Sequence, residues 1–364
     1  MRKIAGGLAA AVLVTGCAGV SGAPGATSPT ASPTTSPTAQ ATPATPGATA
    51  PPLPLEQTYE RVISQVLPSI VQITTATGLG SGVVYDDQGH IVTNAHVIGE
   101  ATEVEVTLAT GGGSRVAKVV QSFPAGDLAV IKVDDPQGLR PARFGDSSKL
   151  RVGQLVLAMG NPLGLSGSVT DGIVSAVGRT VTEPQDSGSP GATIAGAIQT
   201  SAAINPGNSG GALVDMAGQV IGIPTLAATD PSLGGGAAPG IGFAIPSNTA
   251  TDISAQIVKH GRVINSHRAA LGITGSTVIG DTGQPAGVGV RSVQSGGGAA
   301  KAGIREGDVI ISVGGKETPT IAALTELLTG YKPGDKVEVE FVRASARDGE
   351  RQKVTVTLSE LQTD

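Results

Sequence analysis

The chain has 364 residues, a formal charge of −5 and only 15% charged side chains. With no basic stripe and aromatics at 2%, it lacks the composition that grips nucleic acid, so no nucleic-acid partner is expected. One cysteine and four histidines are too few for a Cys/His metal site, and no metal or organic cofactor is expected.

Arg2 and Lys3 precede an apolar run, Ile4 to Val14, that is too short to cross a ~30 Å hydrocarbon layer as a helix. This is the pattern of a secretory signal over residues 1–16. The run closes on "VTGC", Val14 to Cys17, which resembles the lipobox of bacterial lipoproteins. That resemblance implies cleavage before Cys17 and lipidation of its thiol, which would anchor the mature chain to the cell membrane outside the cytoplasm. Residues 17–54 are mostly Ser, Thr, Pro, Ala and Gly, as in "TSPTASPTTSPTAQATPATPGATAPP". They offer no apolar face to offset the entropy of ordering a backbone, and are expected to form a disordered tether.

Residues 55–261 carry short apolar or alternating runs separated by turn residues. "SIVQITTA", "GSGVVYD", "EVEVTL", "DLAVIKV", "QLVLAMG" and "QVIGIPT" predict strands, and their spacing predicts a barrel or sandwich. "SNTATDISAQIVKHG" has Ile253, Ile257 and Val258 at helical spacing, with Asn248 as the expected cap and Gly261 as the stop. Residues 262–364 form a smaller mixed unit. Strands are predicted in "VGVRSV", "DVIISVGG", "KVEVEFVR" and "QKVTVTL", and a helix in "TIAALTELLTG", where Ile321, Leu324 and Leu328 share a face.

"INPGNSGGAL", Ile204 to Leu213, places three glycines around Ser209. It reads either as a solvated turn or as a serine nucleophile on a loop whose backbone N–H groups face an oxyanion. A hydroxyl of ordinary acidity needs a positioned base, usually histidine. His260 sits at a helix end, where a cation complements the dipole. His267 lies in a polar connection and His90 in an expected hairpin turn. His96 follows the strand-like "IVTNA" and needs a partner beside apolar surface, as either a core or a catalytic histidine. A carboxylate that orients an imidazole is usually buried. Asp127 stands at the mouth of the apolar run "LAVIKV", whereas Asp146 fits a capping or turn role. Asp86 and Asp87 fall in the expected hairpin, and Asp134 and Asp135 at the far end of the strand.

"TNAHVI", "DLAVIKV" and "INPGNSGGAL" together resemble, in order and character, the three active-site blocks of the HtrA (Deg) serine proteases. Connecting segments agree as well: "SGVVYDDQGHIVTN", "FGDSSKLRVGQLVLAMGNPLGL", "VTDGIVSAVGR" and "GIGFAIPSN". The resemblance implies a mainly β fold, a two-barrel chymotrypsin-like protease domain over residues 55–261 followed by a small α+β PDZ domain over residues 262–364. It implies a triad of His96, Asp127 and Ser209, with the N–H groups of Gly207 and Ser209 as the oxyanion hole. Two positions depart from the family's habit: Ser201 stands where an acidic residue is common, and Ala212 where proline often follows "NSGG".

Further expectations follow from the same resemblance. "VIGIPTL", Val220 to Leu226, would flank the pocket for the residue before the scissile bond; no acid stands at its base, so Val, Ala or Leu is favoured there over Lys or Arg. "GRTVTEPQDSGSPGATIAG" resembles the regulatory loop and "AATDPSLGGGAAPG" the specificity loop of the family. In "ALGI", Leu271, Gly272 and Ile273 would receive peptides with apolar C-termini, with Leu324 or Leu328 shaping the pocket. The expected partners are unfolded or misfolded proteins, such peptides, a membrane reached through the N-terminal lipid, and two further copies in a homotrimer that uses Tyr59. The reading from another class is a catalytically silent chaperone or peptide-binding adaptor on the same scaffold.

Overall fold

The computed structural model describes residues 53–364 apart from 77, 162–166, 184–191, 206, 231–235, 281, 344–350 and 363–364. Cys17, the signal segment and the tether lie outside the described residues, as do parts of the two long loops singled out in the sequence.

Helix α1 (Pro54–Val66) opens the described chain. Pro54 occupies its first turn, Glu56 accepts the Leu53 N–H, and Val62 and Val66 are its buried residues. Tyr59 and Ile63 pack half-buried against the same core, and the sequence expectations contain no element there. Six strands then close a first barrel: β1 (Ile70–Thr74), β2 (Leu79–Val84), β3 (His90–Thr93), β4 (Glu103–Leu108), β5 (Arg115–Phe123) and β6 (Leu128–Val133), in the order β1-β2-β3-β6-β5-β4. The single-turn helix α2 (Ala95–Ile98) follows β3. In β4 the alternation is visible directly: Val104 and Val106 are buried, while Glu103 and Glu105 face water.

A second closed barrel has the order β10-β11-β12-β9-β8-β7. Its strands are β7 (Leu155–Gly160), β8 (Ser168–Glu183), β9 (Ala192–Thr200), β10 (Ala212–Asp215), β11 (Val220–Asp230) and β12 (Gly236–Pro246). Each barrel has its own apolar filling, Ile73, Ile91 and Ile131 in the first and Val156, Ile198 and Leu213 in the second. A third cluster draws on both: Ile70, Val83 and Leu128 pack with Leu157, Met159, Val214 and Ile223. This shared cluster holds the two barrels together, and Val62 of α1 joins it with Ala250, Ile253 and Ile257 of the helix that follows β12.

Helix α3 (Ser247–His260) ends at Gly261, whose φ of 70° is left-handed, as the sequence indicates. Its start differs. Pro246 occupies the cap position and makes no side-chain cap. Asn248 instead accepts the Ser147 N–H at 3.1 Å and donates to Asp146 at 2.9 Å, stitching the helix to the Ser147–Lys149 turn. His90 also differs from expectation: it is the first residue of β3, only 5% exposed, with its Nδ1 2.7 Å from Asp86.

The remaining chain is the small α+β unit. β13 (Ala269–Ala270), β14 (Ile273–Ile279), β15 (Pro285–Val293), α4 (Gly298–Lys301), β16 (Val309–Val313), β17 (Lys316–Glu317), α5 (Ile321–Leu328), β18 (Lys336–Val342), β19 (Arg351–Thr357) and β20 (Ser359–Glu360) follow in order. The main sheet runs β14-β15-β16-β18-β19, with β17 on β16, and β13 pairs with β20. Val288, Ile310, Val339, Phe341 and Leu324 fill its core.

Candidate active site

β3 ends at Thr93, Asn94 takes the N-cap position of α2, and the turn of α2 then carries His96. Asp127 follows a 3-10 turn, Pro124–Gly126, and adopts a left-handed φ of 52°. A non-glycine residue pays for that conformation in strain, of order 1–3 kcal/mol, which persists only where surroundings over-determine it. Those surroundings are a ring of donors. The carboxylate lies 2.9 and 3.0 Å from His96 Nδ1 and accepts the His96 backbone N–H at 3.0 Å. Thr225 Oγ1 donates to Oδ2 of the same carboxylate, and Asn94 Nδ2 donates to the Asp127 main-chain carbonyl at 2.9 Å. With Asp127 at 1% exposure, such donors are what makes a buried carboxylate tolerable. Because the carboxylate can only accept, it selects the tautomer with hydrogen on Nδ1 and leaves Nε2 as the basic nitrogen.

Ser209 sits on the loop between β9 and β10. The Asn208 N–H donates to the Asn205 carbonyl at 3.1 Å, and the Asn208 side chain closes the turn on Asn205 N–H and the Ala203 carbonyl. Gly207 and Gly210 have φ of 106° and 79°, which side-chain-bearing residues rarely adopt. Gly211 is required by proximity instead: a Cβ there would stand 2.2 Å from the Met159 carbonyl oxygen. Ser209 Oγ donates to the Thr225 carbonyl at 3.2 Å. Thr225 therefore touches both ends of the centre, Asp127 through its hydroxyl and Ser209 through its carbonyl.

The structure thus brings His96 and Asp127 into direct contact and ties Ser209 to them through Thr225. The sequence reading passed over Thr225 and Asn94. Thr225 lay inside a quoted stretch, "VIGIPTL", but only a fold that places β11 beside Asp127 gives its hydroxyl a purpose. The other histidines lie elsewhere: His267 is exposed and 3.2 Å from Asp252, and His260 ends α3. Among the described residues no cluster of His, Cys, Asp and Glu could hold a metal ion.

In the smaller unit, a cavity of about 400 Å³ opens between β14 and α5. Leu271, Gly272, Ile273, Leu324 and Leu328 line it, together with Arg268. Gly272 has a φ of 76°, and Leu271 is buried and belongs to the core as well as to the cavity wall. The Arg268 guanidinium donates to the Ala125 carbonyl, and its burial lowers its pKa to about 10. α5 also approaches the second barrel, with Thr329 just beyond its end 3.3 Å from Thr180 of β8.

Comparison with known proteins agrees with this architecture. The model of the trypsin-like peptidase domain matches residues 80–223, and that of the PDZ domain matches residues 251–358. A probable periplasmic serine endoprotease DegP-like of Pseudomonas putida is 40% identical over 295 residues, covering 79% of this chain and 57% of the relative. The periplasmic pH-dependent serine endoprotease DegQ of Escherichia coli is 38% identical over 291 residues, covering 77% and 59%. The chain thus spans just over half the length of these curated relatives. Among solved structures, the HtrA-type protease AlgW with a decapeptide matches at 30% identity and a TM-score of 0.55, covering 84% of this chain and 99% of that one. The serine endoprotease from Yersinia pestis matches at 34% identity and a TM-score of 0.54, covering 84% and 98%. With two closed barrels, a following PDZ domain and these relatives, the chain belongs to the HtrA-type serine proteases.

Proposed function

We propose that the chain is an extracytoplasmic serine endopeptidase that degrades unfolded or misfolded proteins. The observation that carries this reading is the continuous set of contacts His96–Asp127–Thr225–Ser209. In the reaction, Ser209 Oγ attacks the peptide carbonyl while His96 Nε2 takes its proton. The tetrahedral oxygen receives hydrogen bonds from the N–H groups of Gly207 and Ser209. His96 then protonates the departing amine, leaving an acyl-enzyme that water hydrolyses by the same path in reverse. Asp127 holds the imidazole in orientation and stabilises its cation, and Thr225 and the His96 N–H keep that carboxylate in place.

The same reading assigns residues 55–261 to the protease domain and residues 262–364 to the PDZ domain. Leu271, Gly272 and Ile273 receive peptide C-termini there, as an added strand on β14 with an apolar side chain in the cavity. Residues 1–16 act as the signal peptide, Cys17 carries lipid, and residues 17–54 hold the enzyme off the membrane. Three copies associate around Tyr59. The periplasmic relatives support the location, and the peptide-bearing neighbours support a peptide ligand.

The deciding experiment is turnover of casein together with covalent labelling by a fluorophosphonate. The parent chain should show both, and Ser209→Ala neither, with unchanged unfolding behaviour. A parent chain that binds casein, protects it from aggregation and takes no label would establish the silent chaperone instead. For the anchor, the Cys17→Ser variant should lose incorporation of labelled fatty acid; equal incorporation would place the lipid elsewhere.

A further inference from the structure

The stretch Gly80-Ser81-Gly82 lies in β2, far in sequence from the serine loop, and the mechanism above leaves it unassigned. Its glycines have a steric reason: a Cβ at Gly80 would stand 2.5 Å from Val97, and one at Gly82 would stand 2.6 Å from Ile91. Ser81, fully buried between them, is engaged through every polar group it has. Its N–H donates to the Ser209 carbonyl at 2.9 Å, and its carbonyl accepts the Thr93 hydroxyl at 2.6 Å. Its own hydroxyl donates to the Gly207 carbonyl at 2.5 Å and accepts the Asn161 N–H at 2.8 Å. One residue of the first barrel therefore grips the serine loop at two points, on either side of Asn208.

Resting on the protease reading, we propose that Ser81 is a positioning residue of the reaction, whose hydroxyl fixes the Gly207–Asn208 peptide and so orients the oxyanion-binding N–H groups that flank it. The Gly207 carbonyl and the Asn208 N–H belong to one rigid plane. Gly207 is the joint at which that plane turns, and glycine resists rotation less than any other residue. Sequence alone leaves this joint loose; the Ser81 hydroxyl closes it. Hydrogen bonds gain strength in a buried setting, and here donor and acceptor are both shielded from water. Oxyanion stabilisation depends on donors that are already aimed before charge develops. A loop free to rotate at Gly207 must be re-aimed in every turnover. The close fit around the loop points the same way. A Cβ at Gly210 would stand 2.3 Å from the Ser81 carbonyl, and one at Gly160 would stand 2.5 Å from Asn208 Cα and 2.8 Å from Ser81 Oγ.

The test uses the full chain with Ser81→Ala and Ser81→Cys. It measures kcat and KM on a fluorogenic peptide with Val before the scissile bond. It also measures inhibition by the matching peptide aldehyde, whose adduct places an oxygen in the oxyanion hole. Deleting a whole oxyanion donor costs about 10²–10³ in kcat, so loss of its anchor should cost about tenfold to a hundredfold. KM should stay near the parent value, and aldehyde affinity should fall in step with kcat. Cysteine keeps a side-chain donor, bulkier and weaker than the hydroxyl, so it should fall between serine and alanine; it also carries the test if the alanine variant fails to fold. A folded variant with parental kcat and aldehyde affinity would overturn the proposal, as would a loss confined to KM. Fluorophosphonate labelling of the parent separates the two readings. A labelled parent with unaffected Ser81 variants removes only this inference, whereas an unlabelled, inactive parent removes the protease reading with it.

Discussion

The guanidinium of Arg268, just ahead of β13, donates to the carbonyl of Ala125, two residues before Asp127. A half-buried cation that lines the PDZ cavity thus reaches the turn that sets Asp127 in its left-handed conformation. A ligand in that cavity shares a neighbour with the Asp127 turn, and on the proposed function it can shift the enzyme only through different affinity for its states. Replacing Arg268 by methionine keeps much of the stem and deletes the donor. Stimulation of peptidase rate by peptides with apolar C-termini should then fall below that of the parent across a peptide titration. Superimposable stimulation curves would show that Arg268 fills space without transmitting anything.

Thr225 is the joint between Asp127 and Ser209, and only its hydroxyl part is tested by Thr225→Val. A hydrogen bond to a charged group contributes about 1.5–3 kcal/mol, and each ~1.4 kcal/mol lost from the transition state is about tenfold in rate. The valine variant should therefore lose roughly tenfold to a hundredfold in kcat, and Thr225→Ser should recover most of it. Parental kcat in the valine variant would reduce Thr225 to packing.

Gly210→Ala probes the fit of the serine loop against β2 and β3. The new Cβ would lie 2.3 Å from the Ser81 carbonyl oxygen and 2.4 Å from Thr93 Oγ1, at a φ of 79°. Gly261→Ala has a similar φ of 70° with nothing within 4 Å, so it isolates the backbone cost, of order 1–3 kcal/mol. Gly210→Ala should lower the melting temperature further than Gly261→Ala and abolish fluorophosphonate labelling. Equal melting temperatures in the two variants would mean that the loop yields freely.

Asp146 is exposed, yet the Ser148 hydroxyl, the Asn248 amide and Lys149 hold its carboxyl well below the usual carboxylate range. A lowered folded-state pKa means that its contribution is complete above the unfolded value, about 4. That contribution disappears as pH falls through the lower folded value. Asp146→Asn should therefore melt below the parent at neutral pH, with the gap narrowing as the solution is acidified. A gap of constant size down to strongly acidic pH would show that charge is not what Asp146 supplies.

The parts of the site legible in the sequence were those whose chemistry leaves a local mark. Glycines crowded around Ser209 announce a backbone under constraint, and an acid at the head of an apolar strand announces a buried carboxylate. Resemblance then joined His96, Asp127 and Ser209 across the chain. Thr225, Ser81 and Arg268 stayed hidden because each is locally ordinary. Thr225 is a β-former within a strand, Ser81 a small residue among glycines, and Arg268 a cation in a polar connection. Their meaning comes from partners 98, 126 and 143 positions away. Asn248 shows the opposite error: a good local capping residue was drawn instead to Asp146 and Ser147, 102 and 101 positions earlier. The fold was readable at the level of alternating strands, while α1 was not, since so few of its side chains are buried.

The division of the centre between two barrels has a consequence for how the chain comes into being. Domains of a growing polypeptide fold as units from the N-terminal side. The first barrel, with His96 and Asp127, closes once β6 has emerged at Val133. The strands that flank the serine loop and carry Thr225 join a closed second barrel only when β12 pairs with both β9 and β11, which requires the chain through Pro246. Until then His96 and Asp127 stand in a closed barrel while Ser209 and Thr225 belong to an open one. On the proposed function, the catalytic groups are therefore complete only once both barrels are, and a chain truncated before Pro246 should take no fluorophosphonate label.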